Sequence, residues 1–242
     1  MFGRTFVLEF NLKSFGKYSL RVFQNQNKLL IKENPWTPSL GSPFPPPSWP
    51  GRFLGSDTTT SGNWQNLYGK NGYVLFGWKS LINDLKVLPP YVQDVILWTS
   101  ENSGFLGSRV SWENSTSDER ALQDPQGTGR ALGAATSFGG GTFIIDVILT
   151  AAAAEVNKEF VLSIYCVDYG PTPWGSGSMG ENRTGQILLL TGWPDFNPMT
   201  PRQALKDYSK GVWMRYSVNG NVRVRLGVIR GDMSVLSAIM FD

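Results

Sequence analysis

Hydrophobic and polar residues alternate along this chain in short runs that turn-forming residues separate. Side chains of a strand point to opposite faces in turn, so this period predicts β-strands. The predicted strands after residue 50 are Gly72–Trp78, Val95–Thr99, Ser108–Trp112, Arg130–Thr136, Thr142–Leu149, Phe160–Asp168, Gln186–Thr191, Val212–Val218, Asn221–Ile229 and Ser234–Phe241. So many short strands predict a closed or two-layered sheet structure.

Helical signals are weak. Ala151–Glu155 has high helix propensity but is too short to be stable on its own, and Thr200–Tyr208 is compatible with two turns that begin near Pro201. A βαβ architecture would need amphipathic helices between the strands. The sequence therefore predicts an all-β fold, a β-sandwich or jelly roll, over residues 51–242.

The first 33 residues predict a separate β-meander with strands Thr5–Phe10, Ser19–Phe23 and Lys28–Lys32. Residues 34–50 are rich in proline, which lacks an N–H and fixes φ, so this segment is predicted to be an extended, stiff connector. Three strands bury too little apolar surface to be stable alone. We expect residues 1–50 to act as an assembly arm on a neighbouring subunit; packing onto the same chain is the alternative.

The composition agrees with short strands and tight turns. Hydrophobic residues make up 41% of the chain and charged residues 17%, with 27 Gly and 15 Pro among 242 residues. The net charge is +3, and the basic residues are scattered apart from the alternating Arg223 and Arg225. Nucleic-acid binding usually needs a clustered basic stripe, so no nucleic acid is expected as a partner.

The sequence carries no signal for a membrane span or for secretion. No apolar run reaches the roughly 18 residues of a membrane span. The N-terminus alternates and carries Glu9 where a signal peptide would be continuously apolar, which predicts that there is none. The compartment stays unknown, and display on the surface of a virion or cell within an assembly is one interpretation.

The single cysteine, Cys166, is expected to be a buried thiol.

The chain contains no histidine, which removes Ser-His and Cys-His nucleophiles and His-ligated zinc. A pair of carboxylates would be enough for glycoside hydrolysis. The candidates are Asp57, Asp118, Asp146, Glu159 and Asp168. Asp57 and Asp118 lie in Ser/Thr-rich turns, where short acids bond to nearby backbone N–H groups. We therefore expect no enzyme, with a glycosidase or lyase as the weakest alternative.

From about Arg52 onward the sequence resembles a non-catalytic β-sandwich module, galactose-binding-like or carbohydrate-binding-module-like, that is appended to bacterial glycoside hydrolases and surface proteins. The matching pieces are Leu54–Trp64, Tyr68-Gly69, Gly72-Tyr73, Trp112, Ser117–Gln123, Ser163–Asp168, Gly211–Trp213, Val218–Gly220 and Val235–Asp242. The resemblance implies glycan binding without a resident cofactor and allows a calcium ion. The Gly/Pro/Ser-rich insertion Gly170–Gly185 and the missing attached enzyme depart from the family.

The nine tryptophans divide by context. Five lie in or beside strands and are assigned to the core: Trp64, Trp78, Trp98, Trp112 and Trp213. Four lie among Pro and Gly: Trp36, Trp49, Trp174 and Trp193. An exposed indole stacks on sugar rings or anchors an interface.

The predicted ligand-binding residues are Trp174, Trp193, Arg183 and Asp168, and Trp36 and Trp49 are predicted to serve assembly. Asp168 is also compatible with anchoring a loop, pairing with an arginine such as Arg120, or binding calcium. No metal-binding residues are otherwise predicted. The functional hypothesis is a glycan-binding or adhesive recognition module on a larger surface assembly, expected to be a homo-oligomer or part of a complex. The alternative is a purely structural coat or virion decoration subunit.

Overall fold

The structure is a computed structural model that describes residues 6–12, 16–25, 28–31, 50–98, 108–138, 141–170, 183–231 and 233–242. The chain divides into two compact units, Met1–Pro47 and Ser48–Asp242.

The first unit contains a three-stranded antiparallel sheet in the order β1-β2-β3. Its strands are β1 Phe6–Leu12, β2 Gly16–Asn25 and β3 Lys28–Ile31. The register pairs Phe6 with Val22, Leu8 with Leu20 and Phe10 with Tyr18, so apolar residues stand opposite one another at every second position. The predicted meander is therefore present, whereas the predicted connector lies outside the described residues up to residue 49.

In the described residues of the second unit, the regular structure is strand except for one helix, α1, which spans Ala151–Glu155. The strands are β4 Arg52–Asp57, β5 Gly72–Leu75, β6 Leu85–Val87, β7 Val92–Trp98, β8 Ser108–Glu113, β9 Leu122–Gln123, β10 Arg130–Phe138, β11 Thr142–Leu149, β12 Glu159–Cys166, β13 Thr184–Thr191, β14 Gln203–Leu205, β15 Val212–Asn219, β16 Val222–Arg230, β17 Met233–Leu236 and β18 Ala238–Phe241.

These strands form three antiparallel sheets. The six-stranded sheet has the order β4-β15-β12-β18-β5-β6, and the five-stranded sheet has the order β14-β13-β16-β11-β7. The third has the order β17-β10-β8, with β9 paired to β10. The sheets pack against one another, so the predicted all-β sandwich is confirmed.

One continuous hydrophobic core, the inter-sheet core, joins the five-stranded and six-stranded sheets. Its members alternate with outward-facing residues along each strand, as the period-two pattern requires. The six-stranded sheet contributes Leu162, Ile164, Met214, Tyr216, Ile239 and Phe241. The five-stranded sheet contributes Ile145, Val147, Ile187, Leu189, Val222 and Val224.

The opposite face of the six-stranded sheet is also covered, by the loop before β5 and the segment around β9. This second cluster, the aromatic core, contains Trp64, Tyr68, Leu75, Leu122, Tyr165, Trp213 and Met240. Gly62 allows the loop to approach closely, because a Cβ at that position would lie 2.0 Å from the carbonyl oxygen of Ala121. Both faces of this sheet are therefore buried at its centre.

Two predictions about secondary structure were wrong in detail. Thr200–Tyr208 is not helical, because Gln203–Leu205 pairs with β13 and the sheet overrides the weak helical signal. The predicted strand Ser234–Phe241 is two strands that belong to different sheets. They meet at Ser237, whose N–H donates to the carbonyl of Tyr165 at 2.8 Å.

No helix in the described parts of the chain is long and apolar enough to cross a bilayer. Cys166 is buried, as predicted, and burial raises the pKa of its thiol.

Candidate functional site

The outer face of the five-stranded sheet carries a row of polar side chains on β16. Val222, Val224 and Leu226 are buried in the inter-sheet core, so the alternating Arg223 and Arg225 lie on the opposite, outer face. The alternation of apolar residues and arginines in this part of the sequence thus reflects a strand with one buried face.

Asp146 of β11 is the register partner of Arg223. Arg223 donates from Nε to Oδ1 at 2.6 Å and from Nη2 to Oδ2 at 2.7 Å, a bidentate contact that fixes both side chains. The indole N–H of Trp98, on the neighbouring β7, donates to the same Oδ2 at 3.0 Å. Three strands thereby place an acid, a guanidinium and an indole in one contiguous array.

The turn that follows β13 folds back beside this array, and we call residues 192–197 the Trp193 turn. Its ends are joined because Thr191 N–H donates to the carbonyl of Asn197 and Asn197 N–H donates to Thr191 Oγ1, both at 2.8 Å. Gly192 N–H donates to the carbonyl of Asn221 at 2.8 Å. The turn is therefore attached to the sheet at its base.

The ring of Phe196 attaches the turn to the array through a contact with Arg223. Its centroid lies 4.0 Å from the guanidinium carbon of Arg223, a cation–π contact in which Asp146 holds the guanidinium in place. Trp193 lies in the same turn, and its side chain is 79% exposed. The turn thus presents a large apolar ring system to solvent from a backbone that hydrogen bonds attach to the sheet.

Asp168 and Arg183, both predicted to bind ligand, are buried and hydrogen-bonded to each other. Arg183 donates from Nη1 to Asp168 Oδ1 at 2.5 Å, and its backbone N–H donates to Oδ2 at 2.9 Å. The arginine that pairs with Asp168 is therefore Arg183; Arg120, the partner considered from the sequence, contacts Asp118. Whether Asp168 and Arg183 also serve a ligand stays a prediction.

The remaining predicted site residues are Trp174, Trp36 and Trp49. All three lie outside the described residues, and their roles stay predictions.

The carboxylates that were candidates for acid–base chemistry all have partners within the fold. Asp57 accepts hydrogen bonds from Thr59, Thr60 and the Tyr68 hydroxyl. Burial alone would raise the pKa of Asp57, but these hydrogen bonds outweigh it and hold the pKa well below its usual value.

The other acids are engaged in a similar way. Hydrogen bonds from Arg120, chiefly from its side chain, lower the pKa of Asp118. Glu159 is exposed and accepts a hydrogen bond from the Ser217 hydroxyl at 2.9 Å. The geometry therefore assigns these carboxylates to structural hydrogen bonds.

The tryptophans assigned to the core behave in two ways. Trp64 and Trp213 are buried in the aromatic core. Trp78, Trp98 and Trp112 are half-buried.

Trp98 and Phe196 are members of the candidate surface that the sequence did not identify. Asp146 could have pointed to this surface, because a charged residue in the apolar run Thr142–Leu149 indicates polar partners on the outer face of the strand.

Within the described ranges, no three acidic or cysteine side chains lie close enough together to hold a metal ion. The calcium ion that the resemblance allows stays a prediction.

Comparison with known proteins gave no match to a family model, a curated protein or a solved structure. The functional argument consequently depends on the residues of this chain.

Proposed function

We propose that this chain is a non-catalytic β-sandwich recognition module that binds a glycan through the Trp193 turn. One observation carries the proposal: an indole that is 79% exposed stands on a turn that hydrogen bonds and the Phe196–Arg223 contact attach to the sheet. Trp193 differs from the other exposed apolar side chains of the described residues in offering a flat aromatic face, the kind of group that anchors ligands and interfaces.

The chemistry of the turn suits a sugar. The flat face of an indole packs on the C–H face of a pyranose ring, and polar groups beside it bond the hydroxyls. Arg223 and Asp146 lie beside the turn and hold each other in one geometry. Because the turn is already attached to the sheet, binding orders few additional groups and loses little conformational entropy.

The absence of catalysis is part of the proposal. The sequence has no histidine, and the carboxylates that were candidates for acid–base chemistry accept hydrogen bonds from backbone, hydroxyl or guanidinium groups. A general acid or base must be able to exchange a proton with a substrate. Recognition without bond cleavage therefore fits these residues better than a glycosidase or lyase does.

A second candidate function, structural assembly, is favoured by the register of the first unit. Apolar residues pair across β1 and β2 at every second position, as in a sheet with one apolar side that needs a cover. A coat or decoration subunit could dock on its neighbour through this apolar side of residues 1–47. The two functions are compatible, since an adhesive subunit can both dock and bind a glycan.

The test of the first function is a panel of soluble polysaccharides screened against the full chain, followed by the Trp193→Ala variant. We expect Trp193→Ala to weaken binding of the best ligand by about 1–3 kcal/mol, as for the loss of an aromatic anchor. Its melting temperature should stay close to that of the wild type, because the side chain is exposed.

Ile229→Ala is the matched control, since Ile229 is 60% exposed on β16 of the same sheet. It should leave binding unchanged. Equal affinities for wild type and Trp193→Ala would refute the proposed role of the turn.

A further inference from the structure

A second candidate site lies on the other side of the sandwich, over the aromatic core. It is a cavity of about 460 Å³ that opens to solvent, within the range of roughly 300–1,000 Å³ typical of small-ligand sites. The lining residues that matter are Trp64, Asn66, Tyr68, Lys70, Tyr73 and Pro125. The five-stranded sheet carries the Trp193 turn on the opposite layer, so the two sites are separate.

The floor of the cavity is apolar and rigid. Trp64 and Tyr68 are buried, and the rings of Trp64 and Tyr73 pack at 5.1 Å with a 60° tilt. The polar ends of the two floor residues are already used: the Trp64 indole donates to the carbonyl of Gln123 and the Tyr68 hydroxyl donates to Asp57. The floor therefore offers no free hydrogen-bonding group, and the half-buried Tyr73 offers the accessible aromatic ring of the lining.

The rim is polar. Asn66 and Lys70 are exposed, and Tyr73 is half-buried. Within the described part of the chain, the Asn66 amide, the Lys70 ammonium and the Tyr73 hydroxyl form no hydrogen bond or ion pair. These groups supply amide, cationic and hydroxyl contacts around an aromatic floor.

The backbone of the rim is held in place. Asn66 and Gly69 have positive φ, and a Cβ on Gly69 would lie 3.0 Å from Met240 Sδ and 3.4 Å from the Trp64 ring. The backbone N–H of Lys70 donates to Asp242 Oδ1 at 3.0 Å. The loop is consequently pressed onto the aromatic core before any ligand arrives, which limits the entropy lost on binding.

The charges around the cavity favour an anion. Lys70 is the charged side chain of the lining, which contains no acid. Nearby Asp57 is bonded to Tyr68, and Asp124 is paired with Lys79 at 2.7 Å. Asp242 faces the backbone N–H of Lys70. Among the described residues, the Lys70 ammonium forms no ion pair with a carboxylate.

We propose that this cavity binds an acidic sugar, a uronic-acid residue of a polysaccharide. The ring packs on Tyr73 at the edge of the aromatic floor, the carboxylate accepts from Lys70, and the hydroxyls bond Asn66 and the Tyr73 hydroxyl. The proposal rests on the glycan-binding role proposed above and names the substrate class of a second site. A neutral sugar would gain no charge-assisted hydrogen bond from Lys70, and an aromatic carboxylate would offer no hydroxyls to Asn66.

The test uses the full chain labelled with ¹⁵N and titrated with a trigalacturonate and with its carboxyl-reduced, neutral counterpart. We expect trigalacturonate to shift the Trp64 indole signal and the backbone signals of residues 65–70. Its affinity should exceed that of the neutral trisaccharide and should fall with added salt, since the contact to Lys70 is screened.

Lys70→Met should weaken trigalacturonate binding about tenfold, as for the loss of a charged hydrogen bond, and leave the neutral trisaccharide unaffected. Lys70→Arg should restore most of the affinity. Lys206→Met, an exposed lysine that follows β14 on the other sheet, is the control and should bind as the wild type does.

Several results would overturn the proposal: equal affinity for the acidic and neutral trisaccharides, signal changes away from residues 64–73, or displacement of trigalacturonate by benzoate at equal concentration. Trp193→Ala separates the two sites. If that variant binds trigalacturonate like the wild type, the cavity acts independently of the turn. If all binding is lost in Trp193→Ala and none in Lys70→Met, the cavity proposal fails while the proposed function stands.

Discussion

Arg183 donates two hydrogen bonds to Asp168, one from its side chain at 2.5 Å and one from its backbone N–H at 2.9 Å. Both side chains are buried, with 0% and 2% of their surface exposed. Asp168 follows β12 and Arg183 precedes β13, so the pair joins the two ends of the segment between these strands. This contact holds the residue after the end of β12 next to the residue before the start of β13.

Replacing one member of this pair should destabilise the fold strongly. Asp168→Asn leaves a buried guanidinium without its counterion, and we expect a loss of about 3–5 kcal/mol in the free energy of unfolding. Urea unfolding followed by tryptophan fluorescence measures it. Asp118→Asn is the control, because the Asp118–Arg120 pair is partly exposed and should cost only about 1 kcal/mol.

The double variant Asp168→Asn/Arg183→Met provides a further check on the pair. It removes the isolated charge, so its loss should be smaller than the sum of the two single losses. Additive losses would show that the two side chains do not stabilise the fold through each other.

The stability of the protein should fall in acid partly through Asp57. The pKa of this carboxyl is lower in the folded protein than its ordinary value of about 4, so its ionised form favours the fold. Its contribution is complete above about pH 4 and is lost as the pH falls through the lower pKa of the folded state. The measurement is the urea midpoint of wild type and Asp57→Asn between neutral pH and pH 2.

Asp57→Asn should be less stable at neutral pH, and its midpoint should depend less on pH below 4. Tyr68→Phe removes one of the hydrogen bonds to Asp57 and should lie between the two. A variant that loses stability in acid as steeply as the wild type would show that other groups control this transition.

Residues 1–47 should determine the oligomeric state. In its described residues the first unit has three strands, and so small a sheet buries little apolar surface by itself. We expect deletion of residues 1–47 to leave a folded sandwich with a lower mass in solution. Light scattering gives the mass, and the melting curve shows whether Ser48–Asp242 remains folded. An unchanged oligomer would exclude assembly through the arm.

The sequence by itself determined the fold class and most of the strands. Thr142–Leu149 matches β11 at both ends, because its period-two pattern reflects a face buried in the inter-sheet core. The exposed position of Trp193 follows from its Gly-Trp-Pro context, where proline prevents continuation of β13. These features depend on a few neighbouring residues, so local patterns are enough to predict them.

Tertiary structure alone decided which distant residues meet. Trp98, Asp146, Phe196 and Arg223 come from different segments, and only the order of the five-stranded sheet brings them into one array. Asp168 and Arg183 are likewise distant in sequence, and they pair because the fold brings the end of β12 close to the start of β13. The run Ser234–Phe241 divides at Ser237 because its two halves hydrogen-bond to different strands, and that choice depends on partners far away in the chain.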